Sequence, residues 1–83
     1  MHPTTPSAPT LSSAARVRLA PAAPALWRVI DSGGRVIGHL AERAEEAGTR
    51  YEARVLQVQT HTFRPVGEFW SADDAVDCLR FTR

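Results

Sequence analysis

An 83-residue chain holds one domain at most, and its single cysteine, Cys78, excludes an intrachain disulfide. All ten Lys/Arg positions are arginine and the formal net charge is only +1, which sets the chain apart from strongly basic, dedicated nucleic-acid binders. No run approaches the ~20 apolar residues that span a membrane, and Pro3, Pro6, Pro9, Pro21 and Pro24 break up any signal-peptide core, so a reducing cytoplasm is the expected location.

Residues 1–25 read as a disordered arm. Pro, Ala, Ser and Thr dominate there, and too few large apolar side chains are present to offset the entropy of ordering. Arg16 and Arg18 are the arm's only charged side chains, a basic tether able to touch phosphate. The folded domain is expected over 26–83. All nine acids and eight of the ten arginines lie in it, so it is close to neutral.

Leu26 to Asp31 carries Trp, Val and Ile and reads as a strand. Ser32-Gly33-Gly34 reads as a turn, since glycine reaches positive φ at no steric cost. Arg35 to Leu40 is then the returning strand of a hairpin. Ala41 to Ala47 is rich in helix formers and places Leu40, Ala44 and Ala47 on one helical face, which predicts a short helical turn; a long solvated loop is the other reading. Arg50 to Gln59 reads as a third strand. Thr60-His61-Thr62 turns the chain into a fourth, Phe63 to Phe69, where Pro65 argues for an edge position or a bulge.

The last element is a helix. Ser71 is its N-cap, with Asp74 three residues on to complete a capping-box-like pair. Asp73, Asp74 and Asp77 lie early and Arg80 and Arg83 late, as the helix dipole favours. Ala72, Ala75, Val76 and Leu79 form the buried stripe. The expected fold is therefore α+β: a three- to four-stranded antiparallel sheet with one C-terminal helix on one face.

Strand residues alternate between faces. One face takes Trp27, Val29, Val36, Leu40, Tyr51, Ala53, Val55 and Phe69, and the helix covers it. The other takes Arg28, Ile30, Arg35, Ile37, His39, Glu52, Arg54, Leu56, Val58, Arg64, Val66 and Trp70. A bulge near Pro65 or Gly67 swaps the assignments of the last strand. This second face mixes aliphatics with arginine instead of being uniformly polar, and one ten-residue helix cannot cover both faces. Such a surface marks a contact site.

Catalysis is not expected. A nucleophile needs an adjacent base, and nothing in the spacing brings Cys78 to His39 or His61. Asp73, Asp74 and Asp77 are explained by the helix start, and no Cys/His set has metal-site spacing, so neither metal nor cofactor is expected.

The runs Tyr51-Glu52-Ala53-Arg54-Val55, Val66-Gly67-Glu68-Phe69 and Ser71-Ala72-Asp73-Asp74-Ala75 give the C-terminal half a family look. In this order it resembles the ethylene-response-type DNA-binding domain and the related arm-binding N-terminal domains of tyrosine recombinases. That resemblance implies a three-stranded sheet backed by one helix, laid in the DNA major groove. Of the family's arginine contacts the resemblance carries over only Arg35, Arg54 and Arg64, with Arg54 standing where the family often has an acid, Pro65 where a Trp is usual and Phe63 where an Arg is common, and with the basic run of the family's first strand absent.

Two functional expectations follow. In the first, the chain is a non-catalytic nucleic-acid-binding accessory module, with Arg28, Arg35, Arg54 and Arg64 on phosphates and Trp70 on sugar or base. In the second, the same face is a protein-interaction surface, closing on another protein or a second copy through Ile30, Ile37, Leu56, Val58 and Val66.

Overall fold

The computed structural model describes residues 9–12 and 15–81. Five strands and one helix follow in order: β1 (Val17–Ala23), β2 (Leu26–Asp31), β3 (Val36–Glu45), β4 (Gly48–Gln57), β5 (Thr62–Phe69) and α1 (Ala72–Phe81). The strands form one antiparallel meander in chain order, β1 to β5. The α+β class and the C-terminal helix match the sequence reading, but the sheet has five strands where three or four were expected.

The extra strand comes from the segment read as an arm. Of residues 1–25, positions 1–8 and 13–14 lie outside the described residues, but Val17–Ala23 pairs with β2 from Val17↔Asp31 to Ala23↔Leu26, with a register shift at Ala22. Its prolines do not prevent this, because β1 is an edge strand and needs hydrogen bonds on one side only. The turn into β2 is Pro24-Ala25, with Ala25 at φ 58°. Proline followed by a left-handed residue fits a type II turn.

Ala41 to Ala47 is neither helix nor long loop. β3 runs to Glu45, turns at Glu46-Ala47 and returns as β4, with Glu45 opposite Gly48. Helix propensity is a weak preference, and an uninterrupted ladder from Gly38↔Val55 to Glu45↔Gly48 overrides it. The β2–β3 hairpin does fall at Ser32-Gly33-Gly34. Gly34 takes φ 85°, and the Asp31 side chain accepts hydrogen bonds from the Gly33 and Arg35 N–H groups, both at 2.9 Å.

The core lies between the sheet and α1. Trp27, Val29, Ile37, Leu40 and Ala53 from the strands meet Ala72, Ala75, Val76 and Leu79 from the helix. Leu40, Leu79, Val29 and Val76 are the largest fully buried side chains, each contributing about 1.5–3 kcal/mol by leaving water. The Trp27 indole N–H has no acceptor among the described residues.

The expected register fails at two bulges. Val29 pairs with Gly38 but Ile30 with Val36, so Ile37 is the extra residue on β3. Ile37 therefore turns into the core, and Val36 shares the open face with Ile30, the reverse of the expectation. On β5, Ala53 pairs with Gly67 and Arg54 with Pro65, leaving Val66 as the extra residue. Val66 packs on the core, Phe69 keeps its expected place there, and Arg64 falls beside Val55 on the helix side.

The helix starts at its expected N-cap, Ser71. The Asp74 N–H donates to the Ser71 hydroxyl at 3.3 Å, and the Ala75 N–H to the Ser71 carbonyl at 3.2 Å. Asp73 does something the sequence does not announce: its carboxylate accepts the Ser12 N–H at 2.9 Å. That bond ties the chain before β1 to the helix start. Beside it Ala15 is buried and Leu11 packs on the core. Arg83 lies outside the described residues.

Candidate functional site

Only one side of the sheet carries the helix. On the other, the register aligns side chains in rows across the strands. One row runs Ala20, Arg28, His39, Arg54, Pro65. Toward the β2–β3 hairpin the next row is Arg18, Ile30, Val36, with Leu56 and Phe63 on β4 and β5. Toward the other end come Leu26, Ala41, Glu52 and Glu68, and then Arg43 with Arg50.

The charges on this face divide along the strands. At the end away from the β2–β3 hairpin, acids and arginines neutralise one another. Arg43 pairs with Glu68 and, at 3.1 Å, with Glu45; Arg50 lies 3.6 Å from Glu45, and Arg54 lies 2.5 Å from Glu52. By contrast, Arg16, Arg18, Arg28 and Arg35 have no carboxylate partner among the described residues. All four belong to the half that holds the β2–β3 hairpin. Its one acid, Asp31, is turned into the hairpin to accept backbone N–H groups.

His39 stands between Arg28 and Arg54. Its pKa is held below the ordinary imidazole value by partial burial first, then by the positive charges of Arg28 and Arg54. Its ring stacks on Phe63, with centroids 3.6 Å apart and planes within 9°. The two residues sit on strands separated by β4, so the rings meet over that strand.

The predicted nucleic-acid contacts are only partly brought together. Arg28 is exposed on the open face, and Arg54 shares its row but is held by Glu52. Arg35 is exposed in the hairpin, and the β5 bulge carries Arg64 to the helix side. Trp70 is 53% exposed, but it lies under Arg50, with the guanidinium 4.0 Å from the ring centroid, at the neutralised end. The sequence reading named Arg18 as a phosphate contact but left it in the arm, and put His39 on this face without Phe63 beside it. Phe63 became visible on this face only once the bulge at Val66 set its register.

The predicted apolar interface is dispersed. Ile37 is in the core, Val66 packs against it, and Ile30 is already 8% exposed within the chain. Leu56 and Val58 remain, grouped with Arg35 and Val36 around a recess of about 430 Å3 at the hairpin end. Among the described residues, no helix is long and apolar enough to cross a membrane.

Comparison with known proteins adds no relative: the chain matches no family model, no curated protein and no solved structure.

Proposed function

We propose that the chain is a non-catalytic binding module that holds the phosphate backbone of nucleic acid against the hairpin-side half of its open sheet face. The observation that supports this most is the separation of charge. Acids on the face are matched by arginines at one end, while the arginines without carboxylate partners gather at the other. A chain that is near neutral as a whole thus presents a local cationic field, and local field, not net charge, steers a polyanion.

Arg18 and Arg28 are the phosphate contacts on this reading. Arg54 lies two strands from Arg28, about 10 Å away at ordinary strand spacing, and shares its charge with Glu52. Arg35 stands at the rim, and Arg64, on the helix side, is assigned no contact. The His39–Phe63 pair supplies an aromatic surface among these cations, the combination that holds a strand by stacking as well as by charge. Trp70 is assigned no contact, because it lies among matched charges. The sheet as the contact surface agrees with the resemblance noted above, but the contact residues are this chain's own.

Fluorescence anisotropy of a labelled mixed-sequence oligonucleotide tests the reading. Binding is expected to weaken steeply with salt, with the logarithmic slope falling by about one for each phosphate contact removed in Arg18→Ala and Arg28→Ala. Arg43→Ala, which removes a matched arginine, leaves the slope unchanged. Absence of salt-dependent binding, or equal losses in all three variants, would falsify the proposal. A doubling of mass in light scattering without oligonucleotide affinity would favour self-association instead.

A further inference from the structure

The sheet is split at its β2–β3 hairpin end. The β3–β4 ladder stops at Gly38↔Val55, yet both strands run on. Val36 is held on its far side by Ile30, and Leu56 and Gln57 on theirs by Phe63 and Thr62. Among the described residues, no rung joins 36–37 to 56–57. The bulge that turns Ile37 into the core falls at this point of β3 and bends the strand away from its neighbour. The recess of about 430 Å3 lies in the split. Val36 and Leu56 line it from the open face, Ile37 and Val55 from the core side, and Arg35 and Val58 stand at its outer end. Its size falls within the roughly 300–1,000 Å3 of small-ligand clefts.

We propose that the split takes one unstacked base of a single-stranded nucleic acid, so that the module prefers single strands to duplex. This rests on the proposed binding of nucleic acid and names its form. The walls are apolar, as the faces of a base require. Between them the backbone edges of 36–37 and 56–57 lack the ladder that would join them, and a base edge carries the same kinds of N–H donor and carbonyl acceptor. The stacked His39–Phe63 rings stand beside the recess, because Phe63 is the direct cross-strand partner of Leu56, so a neighbouring base has an aromatic pair to lie on. Charge is placed for the sugar-phosphate chain. Arg35 is exposed at the outer end, and Arg18 shares the row of Ile30 and Val36. A base in the split therefore leaves its phosphates among guanidiniums that have no carboxylate partner. A protein strand is a poor occupant, since the gap is only two residues long on each side. A duplex keeps its bases stacked and paired, and must flip one out to fill the split.

The test uses the full chain and a fluorescein-labelled mixed-sequence DNA strand in three forms: free, annealed to its complement, and as an abasic strand of equal length. The free strand is expected to bind roughly tenfold more tightly than either of the others. The abasic strand keeps the salt slope, because its phosphates are unchanged. Backbone amide shifts at 35–37 and 56–58 accompany the free strand and not the abasic one. Leu56→Trp, which fills the recess, lowers the affinity for the free strand to that for the abasic strand and leaves the latter unaltered. Should that variant not fold, the abasic comparison decides the matter on the unaltered chain. Equal affinity for free and annealed strands, an abasic strand that binds as well as the free one, or shifts that spare 56–58 each overturn the inference. Salt-dependent binding through Arg18 and Arg28 survives any of those results, whereas no binding of any form removes both proposals.

Discussion

At residue 38 the sheet has room for a hydrogen and nothing larger. A Cβ there would lie 2.3 Å from the Arg54 carbonyl oxygen and 2.8 Å from a Leu79 methyl. The oxygen belongs to the neighbouring strand and the methyl to a fully buried side chain, so neither can yield cheaply. Gly38→Ala is expected to destabilise the fold by about 3 kcal/mol, read as a lower denaturant midpoint. Gly67→Ala is a useful contrast. Its Cβ would meet only the far end of the Phe69 ring, at 3.0 Å, so a smaller loss is expected. A change in the other direction is available at Ala25. It holds φ 58° without being glycine, and a left-handed non-glycine residue costs about 1–2 kcal/mol. Ala25→Gly should raise the midpoint, less the entropy glycine restores to the unfolded chain. The Gly38 constraint was legible in principle, since a lone glycine in an apolar strand marks a bulge or a close approach. Here it marks both.

Elements were legible where local chemistry and tertiary structure agree. The hairpin glycines, the Pro65 irregularity and the Ser71 cap all act within a few residues of themselves, and each stands where the sequence places it. β1 was not legible, because Val17–Ala23 is ordered by what lies across it. Trp27 and Val29 need a neighbour on their outer side, and Val17 and Leu19 pack there against the core. The charge division on the open face was hidden for the same reason: it appears only when β1 brings Arg18 alongside β2 and when the β5 bulge moves Arg64 away. The chain before β1 offers a direct check. A detached tether could be removed at no cost to stability. Ala15 is buried, Leu11 packs on the core and Ser12 bonds to Asp73, so deleting residues 1–16 should cost about 2 kcal/mol in chemical denaturation. A midpoint unchanged by that deletion would show that this segment adds nothing to the fold.

For the molecule as a whole, His39 couples folding to proton binding and, on the proposed function, to the capture of a polyanion. In the unfolded chain a histidine titrates near 6.5. In the folded chain His39 titrates lower, through partial burial and through Arg28 and Arg54, the latter in turn bonded to Glu52. The unfolded state therefore binds more protons between these two values, and stability must fall as pH drops below about 6.5 and level off once folded His39 is itself protonated. A phosphate backbone over the same row acts in the opposite sense. It offsets the two guanidinium charges and favours the imidazolium, so binding takes up a proton and affinity rises as pH falls over the range in which stability declines. Carboxylates titrate well below this window, and among the described residues the only other histidine is His61, in the β4–β5 turn. Oligonucleotide titrations from roughly pH 7.5 to 5.5, spanning the imidazole range, should show tighter binding at the acid end. His39→Gln keeps a polar side chain but cannot take up the proton, so it should flatten both the affinity profile and the stability profile, while His61→Gln changes neither. If His39→Gln flattens the stability profile alone, His39 belongs to the fold but the polyanion lies elsewhere on the molecule.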